Sequence, residues 1–374
     1  MPIVANTFRY LVGVDTHAAS HTFAVIECPT GALVAQATFP TTPAGLARAV
    51  AWIQRRTLPG TGGDLDPVLI AVEGTGSYGS VLCQHLADTG FRVVEAPTPT
   101  RSGGRGKTDD LDAVAAARSS LTTEITKLRD RRGTRTENDQ LRVALAILTT
   151  AREQANTERL RAINALTALV RTHDLGLDAR RALSSKQIDQ ITRWRPRHEP
   201  LGPATARARA VRLARRIVEL EQELHENRDQ INTLINTHAP AQAAALLATN
   251  GVGPVVAAVV LVAWGHPHRI RSEAALAMIA GTAPIPASSG NTIRHRLNSG
   301  GDRRLNKAIN TIVLTRLRLD PATRTYLERR RAEGKTDREI RRCLKRYITR
   351  QLYRTLTAIE DDPSTITNAH QAAA

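Results

Sequence analysis

The chain has 374 residues, 41% hydrophobic but only 3% aromatic, with 52 Lys and Arg against 35 Asp and Glu, a formal net charge of +17. That length suggests two or three domains, and the cores must be built from Leu, Ile, Val and Ala. The positive surplus points to polyanionic partners, because each phosphate neutralised releases counterions.

Cys28, Cys83 and Cys343 lie far apart without a CxxC pair. This argues against a zinc ribbon or disulfide scaffold and fits a reducing cytoplasm. The N-terminus lacks a signal-peptide pattern. The longest apolar stretch, Val255 to Trp264, falls short of the roughly 20 residues that span a bilayer. A soluble intracellular protein with no membrane partner is expected.

From residue 10 onward the chain alternates short strands and helices. "YLVGV" (from Tyr10), "HTFAVIE" (from His21) and "LVAQATF" (from Leu33) read as strands. A helix follows over Pro43 to Arg56, with proline in its first turn. "PVLIAVE" (Pro67 to Glu73) is a continuous apolar run, the pattern of a strand buried on both faces. A helix closed by Gly90 and a strand "FRVVEAP" complete a mixed sheet flanked by helices. The middle is helical. Leu213, Ile217, Leu220, Leu224, Asn227, Ile231 and Leu234 take heptad steps of four and three, with Asn227 a polar seam position that would fix register. Together with the helix from Asn138 to about His173, this predicts a helical hairpin. The seam suits its own partner helix and an intermolecular coiled coil equally.

The third region begins near Ala241. Gly251 and Gly253 lie between two apolar helices in a GxG-Pro turn, as in helix-hairpin-helix modules, where backbone amides approach a phosphate. A plain interhelical turn fits as well. The loop "AGTAPIPASSGNT" and the basic stretch "IRHRLNSGGDRRLNKA" follow. Two strongly basic helices come next, either solvated or lying along a nucleic-acid backbone. The expected domains are residues 8–125, 135–238 and 241–358, with a disordered tail over 361–374.

Asp15 and Glu73 each end a buried strand, and "KTDDLDA" opens a helix on which Asp109 and Asp112, three apart, share a face. Four carboxylates so placed suit a pair of Mg²⁺ ions (Mn²⁺ an acceptable substitute), since hard cations take oxygen ligands. Strand-end carboxylates also serve as caps, and Glu73 before a glycine-rich loop would suit an actin-like nucleotide fold. The order of the set matches RNase H-like nucleases of the Holliday-junction resolvase type. No GxxxxGK[ST] phosphate loop is present. His17 and His21 read as supporting groups, not ligands.

Taken in order, "GVDTHAASH", "VEGTGSYG", "RGKTDDLDA", "NGVGPVVAA" and "AGTAPIPASSGNTIRHRLNSGGDRRLNKA" resemble the insertion-sequence one-ten family of transposases over residues 10 to 355. The resemblance implies an α/β plus α architecture: an N-terminal RNase H-like domain, a central helical hairpin or coiled coil and a mainly helical C-terminal domain. It implies a DEDD tetrad at Asp15, Glu73, Asp109 and Asp112. The nucleophilic serine falls on Ser289 before Gly290, with Ser288 and Ser299 as competitors. Ser299 stands where the family commonly carries a basic residue. Phosphate contacts are expected from Lys107, Gly251, Gly253, Arg294, Arg296, Arg303, Arg304 and Lys307.

The implied activity is cutting and rejoining of DNA through a phosphoserine intermediate by a site-specific recombinase. Target choice would come from an element-encoded guide RNA, and the protein would work as a homo-oligomer with composite sites, in the bacterial cytoplasm and at the nucleoid. The alternatives are a structure-selective endonuclease that activates water with the same tetrad, and a non-catalytic nucleic-acid scaffold.

Overall fold

A computed structural model describes residues 2–59, 64–76, 78–97, 109–128, 137–265, 270–287, 295–296 and 298–360. The chain divides into two compact units, Met1–Thr136 and Glu137–Ala374.

The first unit opens with a single helical turn, α1 (Val4–Thr7), and continues through β1 (Tyr10–Thr16), β2 (Ser20–Glu27), β3 (Ala32–Pro40), α2 (Pro43–Thr57), β4 (Val68–Val72), α3 (Ser80–Asp88), β5 (Arg92–Glu95) and α4 (Asp109–Leu121). Its five strands lie in the order β3-β2-β1-β4-β5. β1, β2 and β3 form an antiparallel meander, whereas β4 joins β1 and β5 joins β4 in parallel. Every residue of β4 is buried, as its unbroken apolar run requires. One face packs on α2 and α3 through Phe23, Val25, Trp52, Ile53, Leu82 and Leu86. The other packs on α4 through Leu11, Ile26, Leu69 and Ala117. α4 approaches so closely that a Cβ on Gly13 would lie 2.1 Å from the Ala113 carbonyl oxygen and 2.5 Å from the Ala117 nitrogen. Only glycine fits there.

The second unit is almost entirely helical. α5 (Glu137–Thr172) and α7 (Leu201–His238) pack antiparallel, with α6 (Ser185–Thr192) near their tip. The heptad seam of α7 buries Leu213, Ile217, Leu220, Leu224, Asn227 and Ile231, then Ile235, with Leu234 only partly covered. It therefore faces the chain's own α5. Asn227 donates to the Leu148 carbonyl at 3.0 Å, and Arg152 donates to the Leu224 carbonyl at 2.6 Å. At the tip, Arg207 is salt-bridged to Glu199 and stacks over Trp194 at 4.9 Å.

Below the hairpin lie α8 (Pro240–Leu247), α9 (Pro254–Trp264), α10 (Glu273–Ile279), a short ribbon of β6 (Ile285–Pro286) and β7 (His295–Arg296), α11 (Arg303–Leu319), α12 (Pro321–Ala332) and α13 (Asp337–Glu360). One core links them to the hairpin base, running from Leu141, Leu145, Ile231 and Ile235 to Ile312, Ile348 and Leu352. No described helix is long and apolar enough to cross a membrane.

Candidate functional sites

In the first unit, β1 and β4 bring Asp15 and Glu73 side by side. The Glu73 amide donates to the Val14 carbonyl at 2.9 Å, and the Thr16 hydroxyl donates to the Glu73 carbonyl at 2.9 Å. The glycine-rich loop after Glu73 folds back over these strand ends. Gly74 takes φ 70°, and its carbonyl accepts from the Gly79 amide at 3.3 Å. Asp15 is buried at 7% exposure, its Oδ2 3.4 Å from His17 Nδ1, whereas Glu73 is exposed. His21, opposite Thr16 on β2, is buried, and burial followed by the neighbouring His17 charge pushes its pKa below the ordinary value.

The direction of α4 brings its acidic start to the same end of the sheet. Ala113 lies over Gly13, two residues before Asp15, whereas Leu121 packs near Gly31 in the β2–β3 turn. Gln36 of β3 donates to the Asp110 carbonyl at 2.6 Å and fixes the first turn across the sheet. Asp112 is half-buried and Asp110 exposed; Asp109 is the first residue of α4, and its side chain lies outside the description. Among the described residues, no three His, Cys, Asp or Glu side chains stand close enough to hold a metal ion. Shared placement at one sheet end is thus the observation, not a closed cluster. The donor chemistry nevertheless fits a divalent metal: all-oxygen ligands, one of them, Asp15, in a site that excludes most water.

In the second unit, a cavity of about 980 Å³ opens between the β6–β7 ribbon, the start of α11, α12 and α13. Arg296, Arg303, Lys307, Arg330, Lys345 and Arg346 are among its lining residues, which include no Asp or Glu. The "NSGGD" stretch forms its rim for steric reasons. A Cβ on Gly301 would lie 2.4 Å from the Gly281 nitrogen. Asn298 donates to the Met278 carbonyl at 2.9 Å and accepts from the Gly300 amide at 3.1 Å. Asp302 caps α11 by accepting from the Arg304 and Leu305 amides. Lys345 donates to Asn306 Oδ1 at 2.9 Å, and burial pushes its pKa down.

A family model described as the transposase IS116/IS110/IS902 family matches residues 243–328, and a DEDD transposase model of the IS110 elements matches residues 12–173. The chain belongs to the IS110 family of transposases. It is similar to an uncharacterised 42 kDa protein of insertion element IS900 from Mycobacterium paratuberculosis, 30% identical over 278 residues, or 62% of this chain and 67% of that one. A 43.6 kDa uncharacterised protein of insertion element IS110 from Streptomyces coelicolor is 39% identical over 118 residues. That match spans 30% of this chain and only 29% of the relative's length.

Within this family chain, the DEDD match covers Asp15, Glu73 and the acidic start of α4, and a DEDD domain carries an expectation of divalent-metal dependence. Of the basic residues expected to meet phosphate, Arg296, Arg303 and Lys307 line the cavity. Arg304 instead turns to α5, bonding Glu153 at 2.9 Å and the Thr150 hydroxyl at 2.7 Å. Gly251, at φ 86°, packs its turn against Ile312 of α11, whereas Gly253 faces open space at the start of α9. Ser299 is exposed on the cavity rim. Lys107, Ser288, Ser289, Arg294 and the tail 361–374 lie outside the described residues. Sequence reasoning missed Gly13, Gly281, Asn306 and Lys345. The GG pair of "NSGGD" was the one available signal for such a close approach.

Proposed function

We propose that this chain is a DNA transposase that cuts and rejoins strands through a phosphoserine intermediate, using Mg²⁺ (or Mn²⁺) held by Asp15, Glu73, Asp109 and Asp112. The observation that carries the reading is the convergence of buried Asp15, Glu73 and the start of α4 on one end of a β3-β2-β1-β4-β5 sheet, in a family chain. That strand order, antiparallel then parallel, supports an RNase H-like domain of the resolvase type. A bound divalent ion would supply Lewis-acid stabilisation of charge at the phosphate.

The chain's own residues do the rest. The β1–β4 zipper holds two carboxylates at adjacent strand ends, and α4 is fixed by the Gly13 approach and the Gln36 bond. Attack by the Ser289 hydroxyl forms an O–P bond, breaks one ester bond of the strand and releases a deoxyribose hydroxyl that takes the proton. Because the phosphodiester is exchanged for a phosphoserine, a second hydroxyl can reverse the step and join a new partner without external energy. Homo-oligomeric assembly and an element-encoded guide RNA, in the cytoplasm and at the nucleoid, belong to the same reading.

Incubating the chain with DNA carrying its element's ends and Mg²⁺ should leave a covalent protein–DNA adduct that survives denaturation. Peptide mapping should place it on Ser289; Ser289→Ala should remove it and Ser299→Ala should not. Nicked DNA without an adduct would point to a water-activating nuclease. Binding without cleavage under any divalent metal would point to a scaffold.

A further inference from the structure

Aromatic residues are scarce in this chain, with five Tyr, four Phe and three Trp. Two of those five tyrosines nevertheless line the basic cavity. Tyr326 of α12 and Tyr347 of α13 meet edge to face, their ring centroids 5.9 Å apart at 89°. Tyr347 is 52% exposed. Guanidinium groups crowd both rings: Arg329 and Arg330 lie 5.4 and 5.9 Å from the Tyr326 centroid, and Arg350 lies 5.8 Å from that of Tyr347.

In the same wall Arg330 is ion-paired with Glu333 and Arg346 with Glu273, although one further nitrogen of each, Arg330 Nε and Arg346 Nη1, has no hydrogen-bond partner among the described residues. Those two glutamates stand outside the cavity, whose described lining includes no Asp or Glu. The excess of Arg and Lys around the cavity selects an anionic ligand. A cavity of about 980 Å³ far exceeds the needs of a small inorganic anion and lies at the upper end for organic ligands. Aromatic faces in a strongly basic cavity suit a ligand with both a flat ring and a phosphate. In a duplex the base faces are buried in their own stack, so rings inside a cavity can meet only a base that has left it.

We infer that this cavity binds unpaired nucleotides of a single-stranded nucleic acid, with a base stacked on Tyr347 and its phosphates held by exposed cations of the lining such as Arg303 and Arg342. The inference rests on the nucleic-acid reading above and names the form of the strand. Arg296 and Lys307 at the mouth would follow the backbone outward. DNA and RNA strands share this chemistry and are separated by the test.

The full chain is titrated in EDTA against labelled single strands of about 12 nucleotides, one DNA and one RNA, and against a duplex of equal length. Each strand carries a central 2-aminopurine. Quenching of the 2-aminopurine is expected on binding to wild type, and the strand with the tighter affinity identifies the source. Tyr347→Ala should weaken single-strand binding about tenfold and abolish the quenching. Duplex affinity should stay within about twofold, and Tyr347→Phe should behave as wild type. The exposed ring makes loss of folding an unsuitable explanation, and an unchanged thermal midpoint verifies this. Absent quenching in wild type, or equal loss of single-strand and duplex binding in Tyr347→Ala, would overturn the inference. Because EDTA removes the metal, failure of cleavage leaves this result standing, and failure here leaves the cleavage reading standing.

Discussion

Gly13 shows how one absent side chain positions a site. The backbone of α4 rests directly on β1, so Gly13→Ala must push the helix outward, carrying Asp109 and Asp112 with it. Overpacking of this kind costs about 1–3 kcal/mol. A lowered urea midpoint is expected, with loss of any metal-dependent cleavage exceeding the loss of folded protein. Equal midpoints for the two proteins would remove α4 docking from the argument. His21 offers a second test at the same scale. Desolvation of its buried ring, and then the charge of His17, disfavours the proton and lowers its pKa from the ordinary value. The unfolded chain accepts that proton at the ordinary value of 6.5, so the folded state binds fewer protons below it. Stability is therefore full above pH 6.5 and declines as the pH falls beneath it. Urea titrations at pH 7.5 and 5.5 should show a drop in wild type that shrinks in His21→Gln. Cys28 is pushed the other way, up to about 11, by burial and then by the nearby Glu27 charge. At pH 8 only ~0.1% of that thiol is reactive thiolate, so its alkylation should be slow until urea exposes it.

At the level of elements, the hairpin seam carries a polar link that an apolar seam would lack. Asn227 is 8% exposed, and its amide answers the Leu148 carbonyl on the opposite helix. Asn227→Ala removes that interhelical bond, a loss of about 0.5–1.5 kcal/mol. Leu220→Ala, at a fully buried apolar position, should cost about 2–5 kcal/mol. Chemical denaturation of both variants checks the order. The seam was legible because heptad spacing is a local property. Its partner was not, since the same pattern serves an intermolecular coil; the answer lies in residues such as Leu148 and Arg152, about 75 positions away. The five strands and the helix opened by Asp109 were legible for the same local reason. The Gly13–Ala113 contact is non-local, and glycine in a strand has many causes. Helix α6 announces itself only by the Ser184–Gln187 capping box. The cavity was least legible of all, because Gly281, Tyr326 and Tyr347 come from different elements and no period relates them. Helix α10 (Glu273–Ile279) stands just before the glycine- and proline-rich loop.

Charge is distributed unevenly over the whole molecule. Residues 1–136 carry 14 Lys and Arg against 12 Asp and Glu, whereas residues 137–374 carry 38 against 23. Residues 303–354 alone carry 17 against five. The first unit is therefore nearly neutral, and the second is expected to carry most of the attraction to nucleic acid. If each neutralised phosphate releases a counterion, duplex affinity should fall steeply with salt, by about a thousandfold between 50 and 200 mM for six or more contacts. The distribution makes a sharper prediction than the total. Removing exposed Arg338 and Arg341 of α13 together, as Arg338→Gln and Arg341→Gln, should lower the slope of log affinity against log salt by about one to two. Removing exposed Arg48 and Arg55 of α2 changes the net charge equally and should leave the slope unchanged. Filter binding at four salt concentrations measures both. Equal slopes for the two double variants would mean that the chain attracts DNA as a uniformly charged body, and the assignment of binding to the second unit would fail.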